Sequence, residues 1–404
     1  MTAAPLAGLR VLDFTWVGAG PIGTKILAEF GAEVIKIESV TRPDPLRRTA
    51  PFAPGDAPLE RSGYFADRNA GKRSVALDMS HPRAREVVLR LAAQSDVCTQ
   101  SFRPGTMEKW RLGYEDLITV RPDLIYLAMP MQGESGPHAT FSGFGATLVA
   151  LCGLHELCGY PDREPVGTGT NYPDHVPNPM HAVVAILAAV LHRDATGDGQ
   201  RIELSQLEST LNVIGPAIEM ADIGRTPHRS GNRIPHAAPH GVFPTRGDDR
   251  WIAISVMDDE RWAAFTAICD LPALRAPDYA HLAGRKAHED EIERALAAWT
   301  AERDADELAA ALVAARIAAS PVRTADELLD DVGGLVSAGA VQWLDHPVMG
   351  TSVYTAPTPR LTRTPGSLAG PAPLLGADTD EVLREIGGLD PDEILDLRAA
   401  GVLT

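Results

Sequence analysis

The sequence predicts an α/β fold with a large open domain and a smaller second domain. Apolar runs of strand length alternate with segments of helical periodicity through the first three-fifths of the chain. A glycine-rich turn joins the first run to the helix that follows it, which is typical of parallel α/β sheets. The length of 404 residues also exceeds the size at which one hydrophobic core usually stops growing.

The N-terminal elements predict a βαβ unit. Residues 9–14 form an apolar run of strand length, residues 22–30 repeat with helical periodicity, and residues 32–37 form a second apolar run. Segments 72–79, 85–100 and 122–130 continue the alternation of strand and helix. We therefore expect a parallel sheet covered by helices on its faces.

A change of composition after about residue 220 predicts the second domain. Residues 226–250 are dense in Pro, Gly and His and predict a long loop. A strand over 251–256 and helical patterns up to Ala315 follow, and residues 355–376 are Pro-rich and extended. The predicted domains are 1–220 (large, first part), 221–325 (small) and 326–404 (a return segment that completes the large domain).

Bulk composition excludes several classes of partner. The net charge of −17 leaves no basic surplus to neutralise the phosphates of a nucleic acid. The four cysteines share no CxxC spacing, and the N-terminus has no secretory signal, so we expect a reduced, cytoplasmic protein. The longest apolar run, 182–191, is too short to span a bilayer, so no membrane association is expected.

Two motifs that suggest cofactors are weak. The GAGPIG stretch at 18–23 follows a predicted strand and begins a helix, but its glycine spacing is not GxGxxG, and a dinucleotide site is disfavoured. A close approach of this turn to a ligand remains reasonable. His228, His236 and His240 match no zinc pattern, so no metal site is expected.

Asp174 stands between two prolines in NYPDHVPNPMHAVV, directly before a long apolar helix. An aspartate here either caps the helix or acts as a nucleophile. A nucleophilic carboxylate needs an electrophilic carbonyl such as a thioester, together with N–H donors for the oxyanion. Glycine-rich turns at 133–136, or near Gly231 and Gly241, are candidate donors. The residues alone leave both roles open.

Several blocks of the chain resemble family III of the CoA-transferases, within the CaiB/BaiF superfamily. They include LAGLRVLDFTWVGAGPIGTKILAEFGAEVIKIES, NAGKRSVALDM, SFRPGTMEKWRLGYEDL, AILAAVLHRDATGDGQRIELSQLES and PAPLLGADTDEVLREIG, in the order of the family. The resemblance implies a large Rossmann-like domain plus a smaller α+β domain, in an interlocked homodimer.

The resemblance also implies the chemistry. Asp174 occupies the place of the nucleophile, and the reaction passes through aspartyl anhydride and aspartyl-CoA thioester intermediates. The CoA thioester is then a substrate, and no permanently bound cofactor or metal is needed. The positions that match the CoA contacts of the family are Val17, Leu77, Phe102, Lys109 and Arg103. Ser39 stands where the family often has Arg, so Arg42 or Arg47 is expected to contact the adenosine phosphate.

The resemblance is closer to the succinyl-CoA-dependent benzylsuccinate subgroup, which acts on larger, often aromatic acids, than to formyl-CoA:oxalate transferases. It implies succinyl-CoA as the donor, whereas the acceptor acid cannot be read from the sequence. Two alternatives stay open. An α-methylacyl-CoA racemase would share the fold, although His138 lacks the Asp of the racemase His-Asp stretch. A non-catalytic CoA-binding protein would use Asp174 only as a cap.

Overall fold

A computed structural model describes residues 4–404, and its main feature is a sheet of six parallel strands. The strands are β1 (Arg10–Phe14), β2 (Glu33–Glu38), β3 (Arg73–Ala76), β4 (Val97–Gln100), β5 (Ile125–Ala128) and β6 (Gln200–Glu203). Their order in the sheet is β3-β2-β1-β4-β5-β6. The order reverses between β1 and β4, and ligands of open α/β sheets bind beyond the carboxyl ends of the strands at such a reversal.

Helices cover both faces of this sheet. Those up to residue 222 are α1 (Ala19–Glu29), α2 (Gly63–Asn69), α3 (Ala84–Ala92), α4 (Thr106–Lys109), α5 (Tyr114–Leu117), α6 (Gly145–Leu151), α7 (Leu154–Leu157), α8 (Tyr172–His175), α9 (Pro177–Thr196), α10 (Gln206–Leu211) and α11 (Gly215–Asp222). One core layer combines α3 with β1 to β5, and another packs α1 and α9 against the opposite face. Strands β1 to β5 are therefore buried almost throughout, whereas the edge strand β6 stays partly exposed.

Residues Tyr172–Thr196 form the one described helical segment that is long and apolar enough to cross a bilayer, with a mean hydropathy of 1.2. Length and composition are weak support for a membrane span, because core helices pass the same test. Here α9 packs against α1 and β5.

A smaller unit comprises Glu156–Gly167 and Pro227–Gly334. Its antiparallel sheet has the order β7 (His240–Pro244), β8 (Trp251–Ser255), β9 (Ala318–Pro321). Its helices are α12 (Asp259–Cys269), α13 (Leu282–Ala287), α14 (Glu289–Thr300), α15 (Ala305–Ala314) and α16 (Ala325–Leu329). A separate core, built around Trp262, Phe265 and Leu296, holds this unit together.

The chain from Leu335 onward belongs to the larger unit. It forms the antiparallel hairpin of β10 (Val341–His346) and β11 (Gly350–Thr355), then an extended segment, then α17 (Thr379–Glu385) and α18 (Pro391–Ala399). The extended segment lies along the unit through hydrogen bonds such as Ser367 N to Glu29 O at 2.8 Å.

The structure confirms the mixed α/β fold with a parallel sheet, and it corrects two details. Residues 226–250, expected as a loop, contain β7, because antiparallel pairing with β8 outweighs the Pro and Gly content of HGVFP. The bounds 221–325 predicted for the small domain also omit residues 156–167. These join the smaller unit because Arg229 binds the carbonyl and carboxylate of Glu156.

Candidate active site

Asp174 lies in the short helix α8, with only 6% of its surface exposed. Burial raises the pKa of its carboxyl to about 6, and a hydrogen bond donated by the Gly145 amide opposes that shift only in part. A carboxylate held in low dielectric is poorly solvated and therefore more reactive as a nucleophile than one in water. At neutral pH it is still ionised.

Two glycines allow the backbone to approach this carboxylate. A Cβ added at Gly145 would lie 2.4 Å from Asp174 Oδ2, and one added at Gly18 would lie 2.8 Å from Asp174 Cβ. Neither distance is compatible with a side chain. Glycine is therefore required on both sides of Asp174, once from the β1–α1 turn and once from the start of α6.

A cavity of about 410 Å³ opens onto Asp174. Its walls come from the ends of β1 and β4, from residues 139–148 and from the start of α10, and they include Trp16, Val17, Gly18, Ser101, Phe102, Arg103, Met131, Phe144, Gly145, Leu148 and Gln206. The cavity thus lies at the reversal of strand order, and its lining is mostly apolar with a few polar groups, as in small-molecule sites.

A second cavity of about 260 Å³ lies beside the first and shares Trp16 and Phe102 with it. It is also lined by Leu77, Arg42 and Trp110, among other residues. Trp16 and Phe102 meet edge to face with their ring centroids 5.1 Å apart. The two cavities are thus neighbours on either side of Trp16 and Phe102, one reaching Leu77 after β3 and the other reaching Asp174.

The β1–α1 turn that separates the cavities is held in an unusual conformation. Val17 has a φ of +68°, which is unfavourable for a β-branched residue. Its amide donates to Asp44 Oδ1 at 3.1 Å, while the Trp16 amide donates to Ser101 Oγ at 3.0 Å. These two bonds fix the turn against both neighbouring loops, and such strain is common where function dictates the backbone.

Buried ion pairs support this turn from below. Lys36 Nζ lies 2.9 Å from Asp44 Oδ2 and 2.8 Å from the Thr15 carbonyl oxygen, and both charged side chains are fully buried. Burial by itself would lower the pKa of Lys36, but the carboxylates of Asp44, Glu38 and Asp13 raise it above its usual value.

A second pair, Lys72 and Asp13, lies under the same turn. Lys72 Nζ also donates to the Pro21 carbonyl of α1 at 3.0 Å. Burial would raise the pKa of Asp13, but Lys72 and Lys36 hold it at about 2. Four buried charged side chains therefore pack under the turn: Lys36, Asp44, Lys72 and Asp13.

The structure brings most of the predicted site residues together. Val17, Phe102 and Arg103 line the cavity of Asp174, and Leu77 and Arg42 line the adjoining one. Lys109, at the end of α4, is exposed and lines neither.

Two further expectations from the sequence need correction. Arg47 is fully buried, with both its Nε and Nη2 bound to Glu38 and its Nη1 bound to Glu60. It is therefore not free for a phosphate. Gly133 and Gly136, expected as possible oxyanion donors, do not line the cavity. The Gly145 amide donates to the Asp174 carboxylate itself, which is a different role.

Sequence reasoning missed Gly145 and Gln206. Both lie far from Asp174 in the chain, and although Gln206 falls within the block AILAAVLHRDATGDGQRIELSQLES, no local pattern connects either residue with Asp174. Only the folded chain shows the proximity of Gly145 to Asp174. Gly18 was recognised as part of a turn but not as a neighbour of Asp174. Among residues 4–404, no three or more His, Cys, Asp or Glu side chains are grouped so as to hold a metal ion.

Comparison with known proteins identifies the family. The model of CoA-transferase family III matches residues 6–379. The chain is 34% identical to the succinyl-CoA–L-malate CoA-transferase beta subunit of Chloroflexus aurantiacus, over 100% of this chain and 99% of that protein. It is also 34% identical to the succinyl-CoA:mesaconate CoA-transferase of Haloarcula hispanica, over 95% of this chain and 96% of that protein.

Solved structures agree with this result. The crystal structure of a CaiB/BaiF family protein from Brucella suis matches with a TM-score of 0.87 and 26% identity, over 95% of this chain and 100% of that one. Rv3272 from Mycobacterium tuberculosis matches with a TM-score of 0.79 and 27% identity, over 94% of this chain and 99% of that one. The chain belongs to CoA-transferase family III and is an enzyme that transfers CoA to a carboxylic acid.

Proposed function

We propose that this enzyme moves CoA from succinyl-CoA to a dicarboxylic acid, with Asp174 as the nucleophile. The observation that carries the proposal is the position of Asp174: a buried carboxylate of raised pKa at a cavity that also holds three residues expected to contact CoA. A capping role alone does not account for this position, because the hydrogen bond on the carboxylate comes from Gly145 and not from the first turn of α9.

The first half of the reaction transfers CoA to the enzyme. An oxygen of Asp174 attacks the thioester carbonyl of succinyl-CoA, the carbon–sulfur bond breaks, and a succinyl-aspartyl anhydride and CoA thiolate result. The thiolate then attacks the aspartyl carbonyl carbon. The anhydride carbon–oxygen bond breaks, succinate leaves, and Asp174 carries CoA as a thioester.

The second half repeats these steps in reverse order with the acceptor. The acceptor carboxylate attacks the aspartyl thioester and expels the thiolate, which then attacks the acceptor's acyl carbon and releases Asp174. The free energy of the donor thioester is retained in the anhydride and thioester intermediates, so no ATP is consumed. Each intermediate is open to hydrolysis, and the apolar walls around Asp174, such as the buried Leu148, serve to exclude water.

The two cavities suggest how CoA is held. We place the adenosine end against Leu77 and Arg42, and the pantetheine arm past Trp16 and Phe102 toward Asp174. Arg42 and Arg103 are the guanidinium groups in these walls, and guanidinium binds phosphate well. Lys109 has no part in this arrangement.

The relatives support the substrate classes. The two relatives described above are named for the transfer of CoA from succinyl-CoA to L-malate and to mesaconate. Two others are named for D-citramalate and for glutarate. All four acceptors are small dicarboxylic acids. We therefore propose a small dicarboxylic acid as the acceptor, rather than the larger, often aromatic acids that the sequence favoured.

We further propose that the enzyme is a homodimer. One face of α9 leaves Met180, Val184 and Leu191 exposed, by 45, 66 and 72%. In α11 no residue is buried, and Ile218 and Met220 are exposed by 46 and 40%. Apolar faces of this extent favour burial against a second copy.

The function is tested by transfer of CoA from succinyl-CoA to a panel of acceptors that includes L-malate, mesaconate, glutarate and an aromatic acid. We expect new acyl-CoA with at least one dicarboxylic acid, and none with Asp174→Asn. Transfer that survives in Asp174→Asn would overturn the role of Asp174. Transfer confined to the aromatic acid would overturn the acceptor class.

A further inference from the structure

Gln206 is the first residue of α10, and its position is fixed by four hydrogen bonds. Its backbone amide donates to the Pro130 carbonyl at 3.2 Å, and its side-chain Nε2 donates to the Met129 carbonyl at 2.8 Å. Its Oε1 accepts from Nδ2 of Asn178 at 3.4 Å. The Thr210 hydroxyl donates to its backbone carbonyl at 2.7 Å. The carboxamide is therefore restrained at both of its ends.

Asn178 connects this carboxamide to the nucleophile. It is fully buried in the first turn of α9, and Asp174 lies one turn earlier in the chain, in α8. Asp174 and Gln206 both line the same cavity. The segment that carries the nucleophile Asp174 therefore also carries Asn178, which holds the carboxamide of Gln206. A substrate bound at Asp174 lies in the same cavity as that carboxamide.

The hydrogen-bonding capacity of Gln206 is only half used. A carboxamide has two N–H donors and two acceptor lone pairs. The Met129 carbonyl takes one N–H and Asn178 takes one lone pair. Among residues 4–404 the carboxamide has no further partner, so one N–H and one lone pair are left for an occupant of the cavity.

The other polar groups of the cavity have different tasks. Asp174 is the nucleophile, the Ser101 hydroxyl accepts from Trp16 N, and Arg103 is the cation placed against CoA phosphate. Ser142 also lines the cavity, but its side chain is exposed to water and, unlike that of Gln206, is not fixed by a hydrogen bond among residues 4–404. Much of the remaining wall is apolar, with Trp16, Met131, Phe144 and Leu148. A fixed amide in an apolar wall discriminates strongly between substrates, because a ligand without a matching group leaves the amide unpaired.

We propose that Gln206 is a specificity-determining residue whose free N–H binds the remote carboxylate of the acid held at Asp174. This inference rests on the proposed function and adds the group that recognises a dicarboxylic acid. The acyl group of the donor and the acceptor occupy the same place in turn, so Gln206 acts on both. It favours succinate over an acid of equal length with a methyl group in place of the remote carboxylate.

Isotope exchange tests this with matched probes. One reaction follows labelled succinate entering succinyl-CoA, and the other follows labelled butyrate entering butyryl-CoA. The readout is the ratio of the two kcat/KM values in the wild type and in Gln206→Met. We expect the ratio to fall about tenfold or more, the effect of losing a hydrogen bond to a charged group. Gln206→Glu, which adds a negative charge, should lower the ratio further.

Gln94→Met makes the same chemical change at an exposed position outside the cavity and should leave the ratio unchanged. A merely structural role for Gln206 would lower both exchanges equally. An unchanged ratio in Gln206→Met and Gln206→Glu, with exchange still measurable, overturns the role of Gln206 and leaves the proposed function intact. Absence of both exchanges in the wild type overturns the proposed function and this inference together.

Discussion

At the scale of single residues, the chemistry depends on how Asp174 is enclosed. Its carboxyl is taken out of water and receives a hydrogen bond from Gly145, so the charged form is reactive and yet present at neutral pH. With a pKa of about 6, formation of the covalent intermediate should rise with pH through that value and become constant above it.

Ionisation of Asp174 should also cost stability. The pKa of its carboxyl is 3.8 when exposed to water, as in the unfolded chain, and about 6 in the folded protein, so the folded state binds the proton more tightly. The stability present below pH 4 is then lost as the pH rises through about 6. Asp174→Asn does not ionise, so its advantage in unfolding free energy over the wild type should grow by about 2 kcal/mol between pH 4 and pH 8. Urea unfolding at both pH values measures this, and an advantage that does not change with pH would contradict it.

Gly145→Ala should abolish most activity without unfolding the protein. The new methyl group would lie 2.4 Å from Asp174 Oδ2, so the carboxylate must move. Misplacement of a reacting group by about 1 Å costs on the order of a hundredfold in rate. Steady-state transfer measures the loss, and circular dichroism checks the fold.

Gly333→Ala in the smaller unit is the matched control, because Gly333 is exposed and its Cβ would meet nothing within 4 Å. Wild-type activity in Gly145→Ala would show that the carboxylate is not held where the structure places it.

At the scale of elements, the β1–α1 turn is the part that connects fold and site. The sequence predicted the strand, the turn and the helix, because an apolar run and a helical repeat are local patterns. It could not predict that Asp44 and Lys36 hold the turn, because charged residues are usually exposed. The burial of these two side chains becomes visible only in the folded chain.

Lys36→Met should destabilise the protein by about 3 kcal/mol or more, because Asp44 would keep a buried charge without its cation. It should also raise the KM for succinyl-CoA, since Asp44 fixes the amide of Val17. Urea unfolding and initial rates measure the two effects. Lys36→Met combined with Asp44→Asn removes the unpaired charge but keeps an acceptor for Val17, and should recover part of the stability. No recovery would mean that the charge pair does not stabilise the turn.

At the scale of the whole molecule, sequence patterns predicted the parallel sheet and the existence of a second domain. They did not predict the hairpin of β10 and β11 or the inclusion of residues 156–167 in the smaller unit. Both depend on pairing between segments that carry no strong local signal, such as Arg229 with Glu156. The role of Asp174 likewise came from resemblance, because an isolated Asp before a helix also fits a cap.

The exposed face of α9 predicts a homodimer in solution, with a mass about twice the 43.1 kDa of one chain. Val184→Glu combined with Leu191→Glu should shift the mass toward the monomer, because a charge on each chain would be buried at the interface. Light scattering after size exclusion measures the mass.

Leu395→Glu in α18 alters a side chain of similar exposure, 61%, outside this face and should remain dimeric. A wild type that is monomeric at micromolar concentration would contradict the dimer.

The most direct test of the central claim is to trap the covalent intermediate. The enzyme is incubated with succinyl-CoA, quenched with borohydride and mapped by peptide mass spectrometry beside Asp174→Ala. Borohydride cleaves the aspartyl-CoA thioester, releases CoA and reduces the acyl carbon to a primary alcohol, so we expect homoserine at position 174 in the wild type and no such change in the variant. Loss of α-deuterium from a branched acyl-CoA without any reduction of Asp174 would contradict the account and indicate a racemase.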